Sequence, residues 1–335
     1  MYLIDIKQRL SFELKLENKN HLHRRTVQNI AKMKILITGS SGTIGTKLIP
    51  YLRQQDHDIT RLVRSDPKSN DIFWNPNKNQ LNSKQIEGFD GVIHLAGENI
   101  ATKRWTNKQK EIIRDSRVNS TKLLCETLAS LENPPKVLIS ASAIGYYGDR
   151  GDDQLDETSP PGDNYLAETC WLWEQETKPA EKKGIRVVIL RTGIVLTPTG
   201  GALKKMLPAF KLGAGAIFGN GSQFMSWISI DDQLEIINYL LKEETISGPV
   251  NAVAPNPATN KEFAETISKI LSKPLFLKIP PLVVKLIFGE MGTALLLSSQ
   301  QVKPTVLLNN GYKFKHPTLE TALRSLLAAP PHFKK

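Results

Sequence analysis

Eight residues, T-G-S-S-G-T-I-G from Thr38 to Gly45, constrain the fold of this chain more than any other stretch. They follow a short apolar run, KILIT (34–38), and open an amphipathic helix. Gly39 permits a tight turn, Gly42 lets a backbone approach a pyrophosphate, and Gly45 allows a helix to pack closely on a strand. The helix start then offers unsatisfied N–H groups and the positive end of its dipole to an anion. In this strand-loop-helix context the triplet predicts dinucleotide binding. The expected cofactor contacts are Thr38, Gly39, Ser41, Gly42, Thr43, Ile44 and Gly45.

The rest of the chain reads as the fold that such a loop requires. Short apolar runs KILIT (34–38), DITRLV (58–63), GVIHLA (91–96), KVLIS (136–140) and RVVIL (186–190) alternate with helical segments. Near-continuous apolar runs of this length are buried strands of a parallel sheet, so the class is a doubly wound α/β fold. Gly88, Gly91 and Gly184 punctuate the strand approaches. The second strand ends in Arg64, about 20 residues after the loop, where an arginine suits a ribose 2′-phosphate and an acid suits the 2′-hydroxyl. Arg64 favours NADP, and Asp66 keeps NAD as the less favoured choice.

Beyond Thr197, Gly and Pro become frequent and loops with one short helix are expected, followed by a strand-helix-strand remnant over 227–253. The division expected is a nucleotide-binding core over 33–253 with a substrate-lobe insertion at about 197–228, then a mainly helical C-terminal lobe over 254–328. Residues 1–32 read as a basic extension before Met33, either a disordered tail or an upstream start.

At 335 residues and 40% hydrophobic, the chain has enough material for one large α/β domain and a smaller lobe. The net charge of +11 draws four from residues 1–32, and no basic block with interleaved aromatics follows, so nucleic acid is not an expected partner. Two cysteines, Cys125 and Cys170, form no disulfide or metal-ligand pattern. The longest apolar run, 280–298, is broken by Lys285, Gly289 and Glu290, and no secretory signal is evident, so a cytoplasmic protein without a membrane partner is expected. The acidic run from Asp149 to Glu157 lacks regular ligand spacing, and no metal is expected.

Several motifs carry a family resemblance. T-G-S-S-G-T-I-G, H-L-A-G from His94, S-A-S-A-I-G-Y-Y-G from Ser140 and R-T-G-I-V-L from Arg191 resemble the extended short-chain dehydrogenase/reductase superfamily. G-E-N-I-A from Gly97, R-D-S-R-V-N-S-T from Arg114, W-I-S-I-D-D from Trp227 and G-E-M from Gly289 resemble one epimerase-family branch, family 39U, which carries a C-terminal helical extension. The resemblance spans about Met33 to Leu326 and implies a Rossmann core. It also implies a cofactor-flanking turn at Leu95, Ala96 and Gly97.

The superfamily's chemistry uses a serine or threonine on the substrate oxygen, a tyrosine that exchanges its proton and a lysine that lowers the tyrosine pKa. Ser142, just after the KVLIS strand, matches the serine, with Ser140 its nearest alternative, and Tyr165 matches the tyrosine in position, either as proton donor or, the reading favoured, as an aromatic wall over the nicotinamide. The lysine four residues on is Thr169, a departure that the branch shares. Lys103, Arg104 and Arg117 are candidate replacement cations, with the Lys103–Arg104 region favoured. Tyr146, Tyr147, Trp105 and Trp227 are either cleft walls or core. The function expected is an NADP-binding oxidoreductase or epimerase-like enzyme for a small polar substrate, nucleotide-linked sugars included, with homo-oligomers allowed. The alternatives are an NADPH-binding sensor with little turnover and a structural partner in division or organelle shape.

Overall fold

The computed structural model describes residues 32–328, so the expectations for residues 1–31 lie outside it. Its centre is an eight-stranded sheet of β1 (Lys34–Thr38), β2 (Asp58–Val63), β3 (Asp71–Asn75), β4 (Gln80–Leu81), β5 (Gly91–His94), β6 (Val137–Ala143), β7 (Arg186–Thr192) and β8 (Gly248–Ala252). The spatial order is β8-β7-β6-β5-β1-β2-β3-β4, and every ladder but β3–β4 is parallel. The order reverses between β1 and β5, which opens a crevice at the carboxyl ends of those two strands.

Among the described residues ten α-helices accompany the sheet: α1 (Gly45–Gln54), α2 (Asn107–Ser130), α3 (Tyr165–Gln175), α4 (Lys178–Lys182), α5 (Gly201–Lys211), α6 (Ile230–Lys242), α7 (Asn260–Ile270), α8 (Pro281–Gly292), α9 (Thr305–Asn309) and α10 (Leu319–Leu327). Successive strand residues point to opposite faces. Leu36, Val92 and Leu138 accordingly join one core cluster with Leu123, Leu124 and Leu128 of α2. A second cluster, Leu203, Leu207, Phe210, Phe263, Ile267 and Leu323 among its members, gathers α5, α7 and α10 around Trp227.

Two expectations are corrected. No α-helix lies between β2 and β5, where β3, β4 and two short 3-10 turns stand instead. The alternation in DIFWN was the signal, since Ile72 and Trp74 are buried while Phe73 is exposed. The run GVIHLA leaves the sheet after His94, and Leu95 and Ala96 begin a loop. The described residues after Ala252 add no strand to the main sheet and are mostly helical, with short strands at Ala258–Thr259, Leu277–Ile279 and Gln301–Val302. Among the described residues, no helix is long and apolar enough to cross a membrane.

Candidate functional site

The glycine loop is built as its spacing requires. Gly39 has φ +67°, and a Cβ there would lie 2.6 Å from the Leu95 carbonyl. A Cβ on Gly45 would lie 2.3 Å from the Gly39 carbonyl oxygen, so this glycine lets α1 seat beneath the loop. Gly42 is different, because a Cβ there would meet only the Gly39 oxygen at 3.3 Å, leaving its other side open. Ser41 and Gly42 are exposed, and Thr43 and Ile44 are half-buried. The first turn of α1 has no side-chain cap and no acidic residue; the Thr46 and Lys47 N–H groups donate to the Gly42 and Ile44 carbonyls, and the positive end of the dipole is left without a carboxylate beside it. This cradle fits the pyrophosphate of a dinucleotide.

Thr38 ties the loop to its neighbour. Its Oγ1 accepts from the backbone N–H of Leu95 (3.0 Å) and Ala96 (3.1 Å). Its own proton therefore goes to His94 Nδ1, 2.8 Å away, which makes His94 the neutral Nε2–H tautomer. That proton is donated to Thr121 Oγ1 at 2.9 Å, and Thr121 also accepts from Trp173 Nε1 at 2.7 Å. Burial pushes the imidazole down to about 3, in keeping with this assignment. The loop that carries Leu95, Ala96 and Gly97 is thus held by a polar chain running from β1 through β5 to α2 and α3.

Arg64 stands exposed at the end of β2. Arg61, three residues earlier, is occupied by a bidentate pair with Asp71 of β3. Of the two, Arg64 is the one not paired with a carboxylate among the described residues.

Ser142 and Tyr165 each bond to a different partner. Ser142 is 4% exposed and lies on the sheet face toward α3, where its hydroxyl donates to Glu174 Oε1 at 2.6 Å. Its strand neighbours Ala141 and Ala143, on the other face, are the partly exposed ones. Ser140 is buried. Glu174 forms a buried bidentate pair with Arg191 of β7, and Arg191 also donates to the Tyr147 hydroxyl at 3.1 Å. The guanidinium lies 3.5 Å from the Tyr146 ring centroid, and the Tyr147 hydroxyl donates to Asn251 Oδ1 at 2.7 Å. Tyr147 is therefore part of a buried network, as Trp227 is part of the core. Glu174 went unnoticed in the sequence, although an acid directly after the apolar W-L-W was a usable sign of burial.

Tyr165 is the first residue of α3, set there by the Asn164 side chain, which caps the Ala167 N–H. Its ring packs edge-on against Trp105, 5.3 Å between centroids, and its hydroxyl donates to the Lys110 carbonyl of α2 at 2.7 Å. Burial raises the phenol above the ordinary tyrosine value, opposed by the Thr169 hydroxyl and by Arg117 and Arg114. Lys103 and Arg104 are exposed, and Arg104 rests against Gly289. Arg117 packs on Gly97 and over the Trp173 ring. Burial pushes the thiols of Cys125 and Cys170 up to about 12, so both are unreactive at neutral pH. Among the described residues, no group of three or more His, Cys, Asp or Glu is arranged to hold a metal.

A parallel sheet with a switch point, a glycine cradle on a bare helix start and a tyrosine opening the helix behind β6 define a nucleotide-binding protein of the short-chain dehydrogenase type. Comparison with known proteins is more specific. Residues 35–252 match the NAD dependent epimerase/dehydratase family, and residues 279–326 match a domain of unknown function. The chain belongs to the NAD dependent epimerase/dehydratase family. It is 39% identical over 295 residues to an epimerase family protein of Mycobacterium bovis, covering 88% of this chain and 97% of that one. It is similar to the human epimerase family protein SDR39U1, which has been crystallised with NADPH, at 33% identity and TM-score 0.81, over 88% of this chain and 99% of that one. A nucleoside-diphosphate sugar epimerase from Corynebacterium glutamicum is 38% identical with TM-score 0.74, over 93% of this chain and 62% of that one.

Proposed function

We propose that this chain is an NADP(H)-dependent oxidoreductase or epimerase-like enzyme acting on a small polar substrate, with nucleotide-linked sugars among the candidates through its corynebacterial relative. The observation that carries the reading is the open cradle at Gly42 on an uncapped α1, beside the Leu95–Gly97 loop. The backbone of Gly39 to Gly45 would hold the pyrophosphate, with Thr38, Ser41, Thr43 and Ile44 shaping it, and Arg64 would take the 2′-phosphate. The cofactor, when bound, supplies or accepts a hydride.

In this reading Tyr165 is the proton donor. A phenol held above its ordinary value is protonated at neutral pH, so it suits the acid role in carbonyl reduction better than the base role in oxidation. Its hydroxyl donates to the Lys110 carbonyl and would turn its proton to a substrate oxygen that replaces this acceptor. Ser142 acts as a positioning residue, because its hydrogen bond to Glu174 fixes α3 against β6. Tyr165→Phe should cost about 100-fold or more in NADPH-dependent reduction, at the lower end of what general acid catalysis supplies, with NADPH affinity unchanged. An undiminished rate in that variant rejects Tyr165 as donor.

A second reading has its own support. Both candidate hydroxyls are engaged by the protein, and position 169 lacks the lysine, as suits a protein that senses NADPH with little turnover. Single-turnover oxidation of bound NADPH across aldehyde, ketone and nucleotide-sugar substrates separates the two. Tight NADPH binding with no oxidation by any of them favours the sensor.

A further inference from the structure

We propose that Arg117 is the cation that serves Tyr165 in place of the missing lysine, delivered from α2 rather than from the next turn of α3. The proposal rests on the reading of Tyr165 as proton donor. Tyr165, Thr169 and Trp173 follow one another at four-residue spacing and share a face of α3. One end of that face meets α2 through the hydrogen bond from Tyr165 to the Lys110 carbonyl. The other end carries the Arg117 guanidinium, 5.2 Å from the Trp173 ring centroid. A lysine at position 169 would have reached into the space between them, and the residue there is a buried threonine.

The state of the guanidinium supports the assignment. Its Nη1 donates to the Ile113 carbonyl and its Nη2 to the Glu98 carbonyl, each at 2.9 Å. A Cβ on Gly97 would lie 3.2 Å from its Cζ, so the group sits directly against the loop expected to flank the cofactor. Arg61, Arg114, Arg191 and Arg324 each pair with a carboxylate, whereas no ion pair of Arg117 is found among the described residues. Burial lowers its pKa, and the groups that oppose this are Cys170, Tyr165 and the Glu98 carboxylate. An arginine nevertheless stays charged. A desolvated cation held by two neutral carbonyls is electrostatically incomplete, and a phenol acquiring negative charge nearby completes it.

The other cations are less suited. Lys110 has its ammonium 5.2 Å from the Tyr165 ring centroid but paired with Glu290, and Arg114 is paired with Asp115. Lys103 and Arg104, favoured by the sequence reading, are exposed.

The test places a 3,5-difluorotyrosine at position 165 of the full chain, which brings the phenol titration toward neutral pH and provides a single fluorine NMR signal. Arg117→Met should raise the titration midpoint by about one pH unit or more, the effect of removing a nearby opposite charge. Arg117→Lys should leave it close to the unaltered protein, and Thr169→Lys added to Arg117→Met should bring it back down. An equal midpoint in Arg117→Met and the unaltered protein overturns the proposal. If Arg117→Met does not fold, the Arg117→Met/Thr169→Lys protein decides. A folded double variant with a restored midpoint supports the proposal, and one as unfolded as the single variant overturns it. NADPH calorimetry on the same samples keeps the two readings apart. Absent binding by the unaltered protein sinks the NADP-dependent function whatever the phenol does, and an unchanged midpoint with binding intact sinks only the role of Arg117.

Discussion

Replacing Thr38 by valine tests whether one hydroxyl organises the cofactor side of the site. Valine keeps the shape of threonine and removes the oxygen that accepts from Leu95 and Ala96 and donates to His94 Nδ1. Three polar groups lose their partner at once. An unpaired buried polar group costs about 1–3 kcal/mol. The imidazole is fully buried and should bear its full share, whereas Leu95 and Ala96 are half-buried and water can relieve part of theirs. The expected loss is therefore about 3–5 kcal/mol. Thr38→Ser keeps the hydroxyl and gives up one methyl group, for a loss of about 1 kcal/mol. Urea unfolding of the two variants measures the difference, and NADPH affinity reports whether the Leu95–Gly97 loop has moved. A valine variant no less stable than the serine variant would refute the hydrogen-bond assignment and the His94 tautomer derived from it.

Arg64→Ala should weaken NADPH binding by about 1.5–3 kcal/mol, the scale of a charge-assisted hydrogen bond, and leave NADH almost unchanged; equal losses in calorimetry reject the 2′-phosphate role. Gly42→Val should abolish NADPH binding while the melting temperature stays near that of the parent, because a side chain there would fill the open side of the cradle. Arg191→Met should cost about 3–5 kcal/mol, since it strands the Glu174 carboxylate among buried groups, and Arg191→Met/Glu174→Leu should lose less than the single variant. His94 is held at about 3 against an ordinary 6.5, so the unfolded chain binds the extra proton between those values. Its contribution is complete above pH 6.5 and is lost as pH falls toward 3. The slope is about 1.4 kcal/mol per pH unit for one proton, and acid unfolding of His94→Gln should lack that component.

The glycine loop and the other apolar runs were legible because parallel strands buried on both faces leave near-continuous hydrophobic signatures, and because each glycine answers a separate steric demand, whereas DITRLV, interrupted by Thr60 and Arg61, buries only Leu62. β3 was harder, since its burial is one-sided and its signal is two alternating residues, Ile72 and Trp74, within a stretch rich in Asn, Asp and Pro. Ser142 illustrates a different limit. Position along the chain placed it at the end of the right strand, but the parity that turns it toward Glu174 and its neighbours Ala141 and Ala143 the other way depends on which face α3 covers. Arg117 was one of three candidate cations in the sequence, but its bond to the Glu98 carbonyl and its place over Trp173 depend on how α2 packs against the loop and α3. Glu174 could be named only once α3 was known to face Arg191 of β7, 17 residues away.

Lys110 holds the tyrosine hydroxyl with its carbonyl and Glu290 of α8 with its ammonium. The two attachments are chemically independent. Every residue type supplies a carbonyl, and the ladder of α2 fixes where this one points, so substitution at position 110 would remove the ion pair to Glu290 while the tyrosine kept its acceptor. The most intimate contact of the proposed acid is therefore one on which selection among side chains has no purchase, and relatives could differ freely at that position while handling the proton in the same way.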